Sequence, residues 1–255
     1  MDPTISRREI LTGCAAAAST GLAGCLSGEL TASAAVTEEI AGDGVTSLSV
    51  EMTNGDITVR DEQRGSVVVR GEKRAASEEA LQDVRLETRR EGDTLVLAAA
   101  HDGSDGWVPS LGTNAEINLD LTVPESLSTV EGDTTNGDVD AGRLDTDLDL
   151  DTTNGDVDVR EHRGAASVVT TNGAVSLQLE AGADVTAEST NGDIEVGVPP
   201  SIAAQFSLET ANGDVRVAGI DGLSVGETDT LEIVTGDGTH EVRCETTNGD
   251  ITVSD

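Results

Sequence analysis

An Asn-Gly step set between alternating polar and apolar residues recurs seven times in this chain. The copies are Asn54-Gly55, Asn136-Gly137, Asn154-Gly155, Asn172-Gly173, Asn191-Gly192, Asn212-Gly213 and Asn248-Gly249. Six residues before each Asn stand Leu48, Val130, Leu148, Ala166, Val185, Phe206 and Val242. Three after it stand Ile57, Val139, Val157, Val175, Ile194, Val215 and Ile251. The positions four before and five after are again mostly apolar, and Asp, Glu, Ser, Thr or Arg fill the places between. Period-two alternation on both sides of a turn makes each copy a strand–turn–strand unit with one apolar face. Asn and Gly suit a turn that needs positive φ, so positive φ is the expectation at these steps.

Successive steps from Asn136 to Asn212 are 18, 18, 19 and 21 residues long. A short, nearly fixed period describes an array in which each unit packs on its neighbours. Two all-β arrangements fit. In a parallel β-solenoid, each Asn-Gly turns one corner of a coil. In an antiparallel sandwich, each Asn-Gly closes a hairpin. The repeat region offers no amphipathic helix to cover an exposed apolar face. A solenoid encloses that face within every coil and is the expected fold, with the hairpin sandwich as the alternative.

The N-G-D-[IV]-x-V units, with the lead-in Ile117-Asn118-Leu119-Asp120-Leu121-Thr122-Val123-Pro124, resemble an adhesin-type domain of unknown function built from β-strand repeats. The resemblance covers about residues 45 to 255. It implies a β-solenoid-like fold on an exported protein and brings no catalytic residues with it.

The first 25 residues have the pattern of an export address. Ser6-Arg7-Arg8-Glu9-Ile10-Leu11 resembles a twin-arginine signal, and Arg7 and Arg8 are its defining pair. An Ala/Gly-rich apolar run follows, too short for a good membrane span. Leu22-Ala23-Gly24-Cys25 resembles a lipobox in which Cys25 takes the lipid. Residues 26 to 43 have the composition of a flexible tether, and 44 to 255 form the repeat domain. The expected location is therefore the outer face of the cell membrane, held by a lipid anchor. Within the less regular front end, Ser66 to Arg70 is expected to be a strand. Ser77 to Val84 is a short helix, and the segments flanking Glu91-Gly92-Asp93 form a hairpin or corner. The stretch from Ala218 to Asp229 loosens the pattern, Asn248 closes the series, and this last region is expected to cap the array.

Charge narrows the partners. The chain has Asp+Glu 49 against Lys+Arg 15, a net charge of −34, and this argues against nucleic acid, whose phosphates would be repelled. An anionic membrane surface is disfavoured for the same reason. Lys73 as the sole lysine, with mostly small apolar side chains, fits adaptation to molar salt, as in halophilic archaea. The scarce positive charge gathers at Arg70, Lys73, Arg74, Arg85, Arg89 and Arg90. Pairing with local glutamates explains this cluster more simply than a docking patch.

Asp56, Asp138, Asp156, Asp193, Asp214 and Asp250 follow Asn-Gly steps, while Ala174 takes the place in the unit at Asn172. Stacked coils would put neighbouring carboxylates about 4.8 Å apart, which makes calcium along Asp138, Asp156, Asp193, Asp214 and Asp250 an expectation to test. No other cofactor is implied. His101, His162 and His240 have neither zinc-like nor triad-like spacing, and the chain has almost no aromatic platforms for sugars. Trp107, the sole Trp, falls in a Gly/Ser/Asp-rich loop. Cys244 stands on the inward phase of its strand, as a small buried apolar residue would.

These features describe a lipid-anchored, non-enzymatic protein with a structural or adhesive role, whose partners are surface proteins or glycans. Related domains also occur in envelope-stress settings, so regulation of a membrane partner is the alternative. A polysaccharide-active enzyme is a third. The sequence leaves the oligomeric state open.

Overall fold

The computed structural model describes residues 30–62, 64–101 and 115–255. The front end holds β1 (Ala32–Ala41), β2 (Ser47–Glu51), β3 (Ile57–Glu62), β4 (Ser66–Ala75), helix α1 (Glu78–Asp83), β5 (Val84–Glu91), β6 (Thr94–His101) and β7 (Ala115–Pro124). The regular coils follow in pairs. They are β8 (Thr129–Asn136) with β9 (Val139–Gly142), β10 (Asp147–Asn154) with β11 (Val157–His162), and β12 (Ala166–Asn172) with β13 (Val175–Leu179). Next come β14 (Val185–Asn191) with β15 (Ile194–Gly197) and β16 (Ala204–Asn212) with β17 (Val215–Ala218). The short strands β18 (Ser224–Thr228) and β19 (Thr230–Val234) precede the last pair, β20 (His240–Asn248) with β21 (Ile251–Ser254).

Each coil contributes one strand to each of two sheets. The first sheet runs β1-β4-β7-β3-β9-β11-β13-β15-β21-β17-β18, and the second runs β19-β16-β20-β14-β12-β10-β8-β2-β6-β5. From β7 to β17, and from β16 to β6, every neighbouring pair is parallel. The fold is thus the parallel β-solenoid, and the hairpin sandwich is excluded: consecutive strands joined by Asn-Gly lie in opposite sheets. Antiparallel strands finish both ends, β1, β4 and β5 at one and β18 and β19 at the other. Alternation places Leu48, Val130, Leu148, Ala166, Val185, Val242 and Phe206 in one buried row, and Ile57, Val139, Val157, Val175, Ile194, Ile251 and Val215 in the facing one. Where a coil offers no side chain, its neighbour fills the space: a Cβ on Gly132 would stand 3.2 Å from Leu150 Cδ2.

Three expectations are corrected. First, much of the expected tether is ordered. Residues 32–41 form β1, in antiparallel register with β4 from Ala32–Ala75 to Ala41–Ser66. The strand was hidden because alanine stands on both its faces and Glu38 points inward, where it accepts from Thr88 Oγ1 at 2.8 Å. Second, Asn248 does not close the series. Its coil lies between those of Asn191 and Asn212, since β20 pairs with both β14 and β16. The segment from β15 to β16, containing Pro199-Pro200, therefore steps past one coil position, about 9.6 Å. The cap expected of this last region does form, from β18 and β19. Third, positive φ is not what the corner requires. Gly55, Gly137 and Gly249 have positive φ, but no Asn of the seven does, and neither do Gly155, Gly173, Gly192 or Gly213, which turn the same corner. The left-handed residues Arg143 and Glu161 turn the opposite corner.

The remaining front-end expectations hold. Ser77 caps α1, its hydroxyl accepting from the Ala80 N–H at 3.2 Å, and β5 and β6 form the hairpin about Gly92.

Candidate binding surface

All seven Asn-Gly steps fall in one column, in the order 54, 136, 154, 172, 191, 248, 212. The Asn side chains form a continuous amide ladder. Each Nδ2 donates to the preceding Oδ1: Asn136 to Asn54, Asn154 to Asn136 and Asn172 to Asn154 at 2.9 Å, then Asn191 to Asn172 at 3.0 Å. Asn248 to Asn191 at 2.9 Å and Asn212 to Asn248 at 3.0 Å complete it. The second amide hydrogen reaches the carbonyl of the preceding coil's threonine, as from Asn154 to Thr135 at 3.3 Å. An amide suits this role because it donates and accepts along one line.

Glycine follows because the corners touch. A Cβ on Gly155 would stand 1.9 Å from the Gly137 carbonyl oxygen, and one on Gly192 would stand 1.8 Å from that of Gly173. Behind the corner a second, buried ladder runs through Thr134, Thr152, Thr170, Ser189, Thr246 and Thr210. Their hydroxyls donate to the corner carbonyls of Gly55, Gly137, Gly155, Gly173, Gly192 and Gly249 at 2.8 to 3.2 Å. Sequence reasoning missed this ladder. Its signal was a hydroxyl two residues before six of the seven asparagines, on the inward phase.

The aspartates that follow Gly also hold coils together. Asp56 Oδ1 accepts from the Asp138 N–H at 3.0 Å, Asp138 from Asp156 at 2.8 Å and Asp156 from the Ala174 N–H at 2.7 Å. Beyond the Ala174 interruption, Asp193 accepts from Asp250 at 2.8 Å, and Asp250 from Asp214 at 2.9 Å. Asn118, at the equivalent place one coil earlier, accepts from the Asp56 N–H at 3.0 Å and starts the series. At the far end Arg216 reaches both Asp250 and Asp214 at 2.8 Å, and this guanidinium holds the Asp250 carboxyl below the usual range. The column expected for calcium thus exists, broken in the middle and clamped by Arg216 at one end. Among the described residues, no three His, Cys, Asp or Glu side chains converge as a metal site.

Outward rows cover both sheets. On the second sheet Glu51, Asp133 and Asp151 are neighbours in register. Partial burial raises the pKa of each, and the next carboxylate in the row adds to the shift in Glu51 and Asp151. On the first sheet Thr58, Asp140, Asp158, Ser176, Glu195, Thr252 and Arg216 form the corresponding row. Near its start lies an open groove of about 420 Å³, lined among others by Thr37, Arg70, Asp120, Thr58 and Asn118.

Much of the front-end charge is occupied within the fold. Arg74 pairs with Glu72 at 3.6 Å and Glu116 at 3.3 Å, and Arg89 pairs with Glu91 at 2.7 Å. Arg90 donates to the carbonyls of Gly92 and Asp43, and Lys73 donates to that of Val84 at 2.9 Å.

Among the described residues, no catalytic grouping forms around His162 or His240. His162 is fully buried. Its Nε2 lies 3.3 Å from the Ala165 carbonyl, and burial lowers its pKa. His240 lies 3.6 Å from Asp184 at the surface. Cys244 is buried, and desolvation pushes its thiol up to about 12, so it is a core residue and no nucleophile. Arg7, Arg8, Cys25 and Trp107 lie outside the described residues. No helix among those described is long and apolar enough to cross a membrane.

Residues 34–254 match the model of the family described as Toastrack DUF4097. Among solved structures, a candidate cell adhesion protein from Clostridium sporogenes is similar at 15% identity with a TM-score of 0.51. The match covers 86% of this chain and 98% of that one. A candidate adhesin from Bacteroides fragilis is similar at 16% identity and TM-score 0.44, covering 86% and 96%. A candidate lipid-binding protein from Parabacteroides distasonis is similar at 10% identity and TM-score 0.34, over 86% and 96%. No curated protein matches.

Proposed function

Because the chain belongs to the Toastrack DUF4097 family, a domain of unknown function, we propose that it is a non-catalytic, adhesion-type binding protein of the cell surface. Cys25 would carry the lipid anchor, after export directed by Arg7 and Arg8. The observation behind this proposal is the pair of long, outward, polar sheet faces, rigidly spaced by the Asn and Thr ladders and free of a catalytic grouping among the described residues. Such faces present repeating Thr, Asp and Glu contacts at strand spacing, which suits an extended surface protein or glycan better than one small ligand.

Cross-linking of the mature protein in cells, at native salt, followed by mass spectrometry tests the partner. Recovery of surface protein or glycan supports adhesion. Recovery of a single signalling or transport membrane protein overturns it in favour of regulation. Anchoring has its own test: Cys25→Ser should release the protein from membranes, and a variant that stays bound removes the lipid anchor. Calcium along the rim is a separate and weaker proposal, because one oxygen of each carboxylate from Asp56 to Asp156 already accepts an N–H. A calorimetric titration in molar salt without saturable heat would dismiss it.

A further inference from the structure

We propose that Asn212-Gly213 is a self-modification site, the one Asn-Gly step of the seven that the folded chain leaves open to deamidation. The reaction is intrinsic to Asn-Gly. The Gly amide nitrogen, after losing its proton to solvent, attacks the Asn Cγ. An N–Cγ bond forms, the Cγ–Nδ2 bond breaks and ammonia leaves. Water then opens the cyclic imide at either carbonyl, giving Asp or isoaspartate. Water is the only co-reactant.

Two conditions must be met: the Gly nitrogen must be available, and the Asn carboxamide must be able to turn towards it. At six steps the stack prevents both. The N–H groups of Gly55, Gly137, Gly155, Gly173, Gly192 and Gly249 donate to the Asn carbonyls of the next coil at 2.8 to 3.2 Å. The Oδ1 atoms of Asn54, Asn136, Asn154, Asn172, Asn191 and Asn248 each accept from the next Asn. The coil of Asn212 is the last, and the capping strand β19 reaches only Glu209, with Thr210 bonded to Asp229. Beyond that point the corner is uncovered. Among the described residues neither the Gly213 N–H nor Asn212 Oδ1 has a partner, and Gly213 is exposed where the other six glycines are buried or half-buried. Only the two donor bonds of Asn212, to Thr247 and Asn248, restrain its carboxamide.

The experiment incubates the folded full-length protein at mildly alkaline pH and locates converted residues by peptide fragmentation and isoaspartate-specific methylation. Conversion at Asn212 should run at least about tenfold ahead of the other six steps, a ratio that corresponds to about 1.4 kcal/mol for opening a covered corner. In urea the seven steps should converge. Asn212→Gln, which keeps an amide but forms the imide ring poorly, should leave the folded protein unconverted over the same period. Equal conversion at all seven steps of the folded protein, or an interior step reacting first, would overturn the proposal. A preference for Asn212 that persists unchanged in urea would also overturn it, by assigning the effect to local sequence.

Discussion

At the scale of single residues, the Asn-Gly-Asp motif serves contacts between coils more than it serves a turn. Asn154 donates to two acceptors and accepts from Asn172. Asn154→Ala should therefore cost about 3 kcal/mol, from three bonds of about 1 kcal/mol each. Asn154→Asp should cost more, because a carboxylate oxygen would then face the Thr135 carbonyl and Asn136 Oδ1. Urea denaturation of the two variants checks the order. Gly155→Ala, with its Cβ against the Gly137 carbonyl, should cost at least about 3 kcal/mol by the same measurement. His162 sets a pH response. Burial lowers its folded pKa below the ordinary value, so the unfolded chain binds the extra proton. Its contribution is complete above about pH 6.5 and fades as pH falls through the folded pKa. Thermal melts of wild type and His162→Gln, taken from pH 8 to pH 5, should show a wild-type loss that the variant lacks.

At the scale of elements, the regular strands were legible because alternation and an 18-residue period are both properties of sequence order. What escaped was set by contacts between distant segments. β1 has almost no hydrophobic contrast and is held by β4, some 30 residues away. The Thr ladder was invisible to a polar/apolar division, since its hydroxyls are buried and satisfied by corner carbonyls. The Asn column was predicted with the wrong cause, because close approach between coils does not appear in any one unit. The acidic rows make a further prediction at this scale. Glu51, Asp133 and Asp151 have folded pKa values above their ordinary ones, so at neutral pH their charged forms oppose folding. Asp133→Asn should raise Tm at neutral pH. The gain should shrink as pH falls through the raised pKa, and the part that comes from relieving Glu51 and Asp151 should also shrink in molar salt, where the Debye length is about 3 Å.

At the scale of the whole molecule, each coil has two neighbours and the ends carry antiparallel strands, so stability is shared along the stack. Deleting residues 240–255 would remove an interior coil and leave β14 and β16 two strand positions apart. Such a deletion should abolish the cooperative urea transition, whereas removing an end coil would only shorten the stack. Circular dichroism through the transition distinguishes the two.

That inserted coil also separates the order of synthesis from the order of assembly. As the chain emerges, the Asn191 coil is followed by a coil that belongs two places on, then by the strands that close the end. The missing place is filled only when residues 240–254 arrive. A nascent chain up to residue 239 therefore holds two unpaired parallel edges facing each other, the kind of surface that recruits a foreign strand. The protein depends on its own later segment reaching that slot first. Completion of the stack is a race between an intramolecular closure and a bimolecular mistake, and dilution would favour the correct outcome.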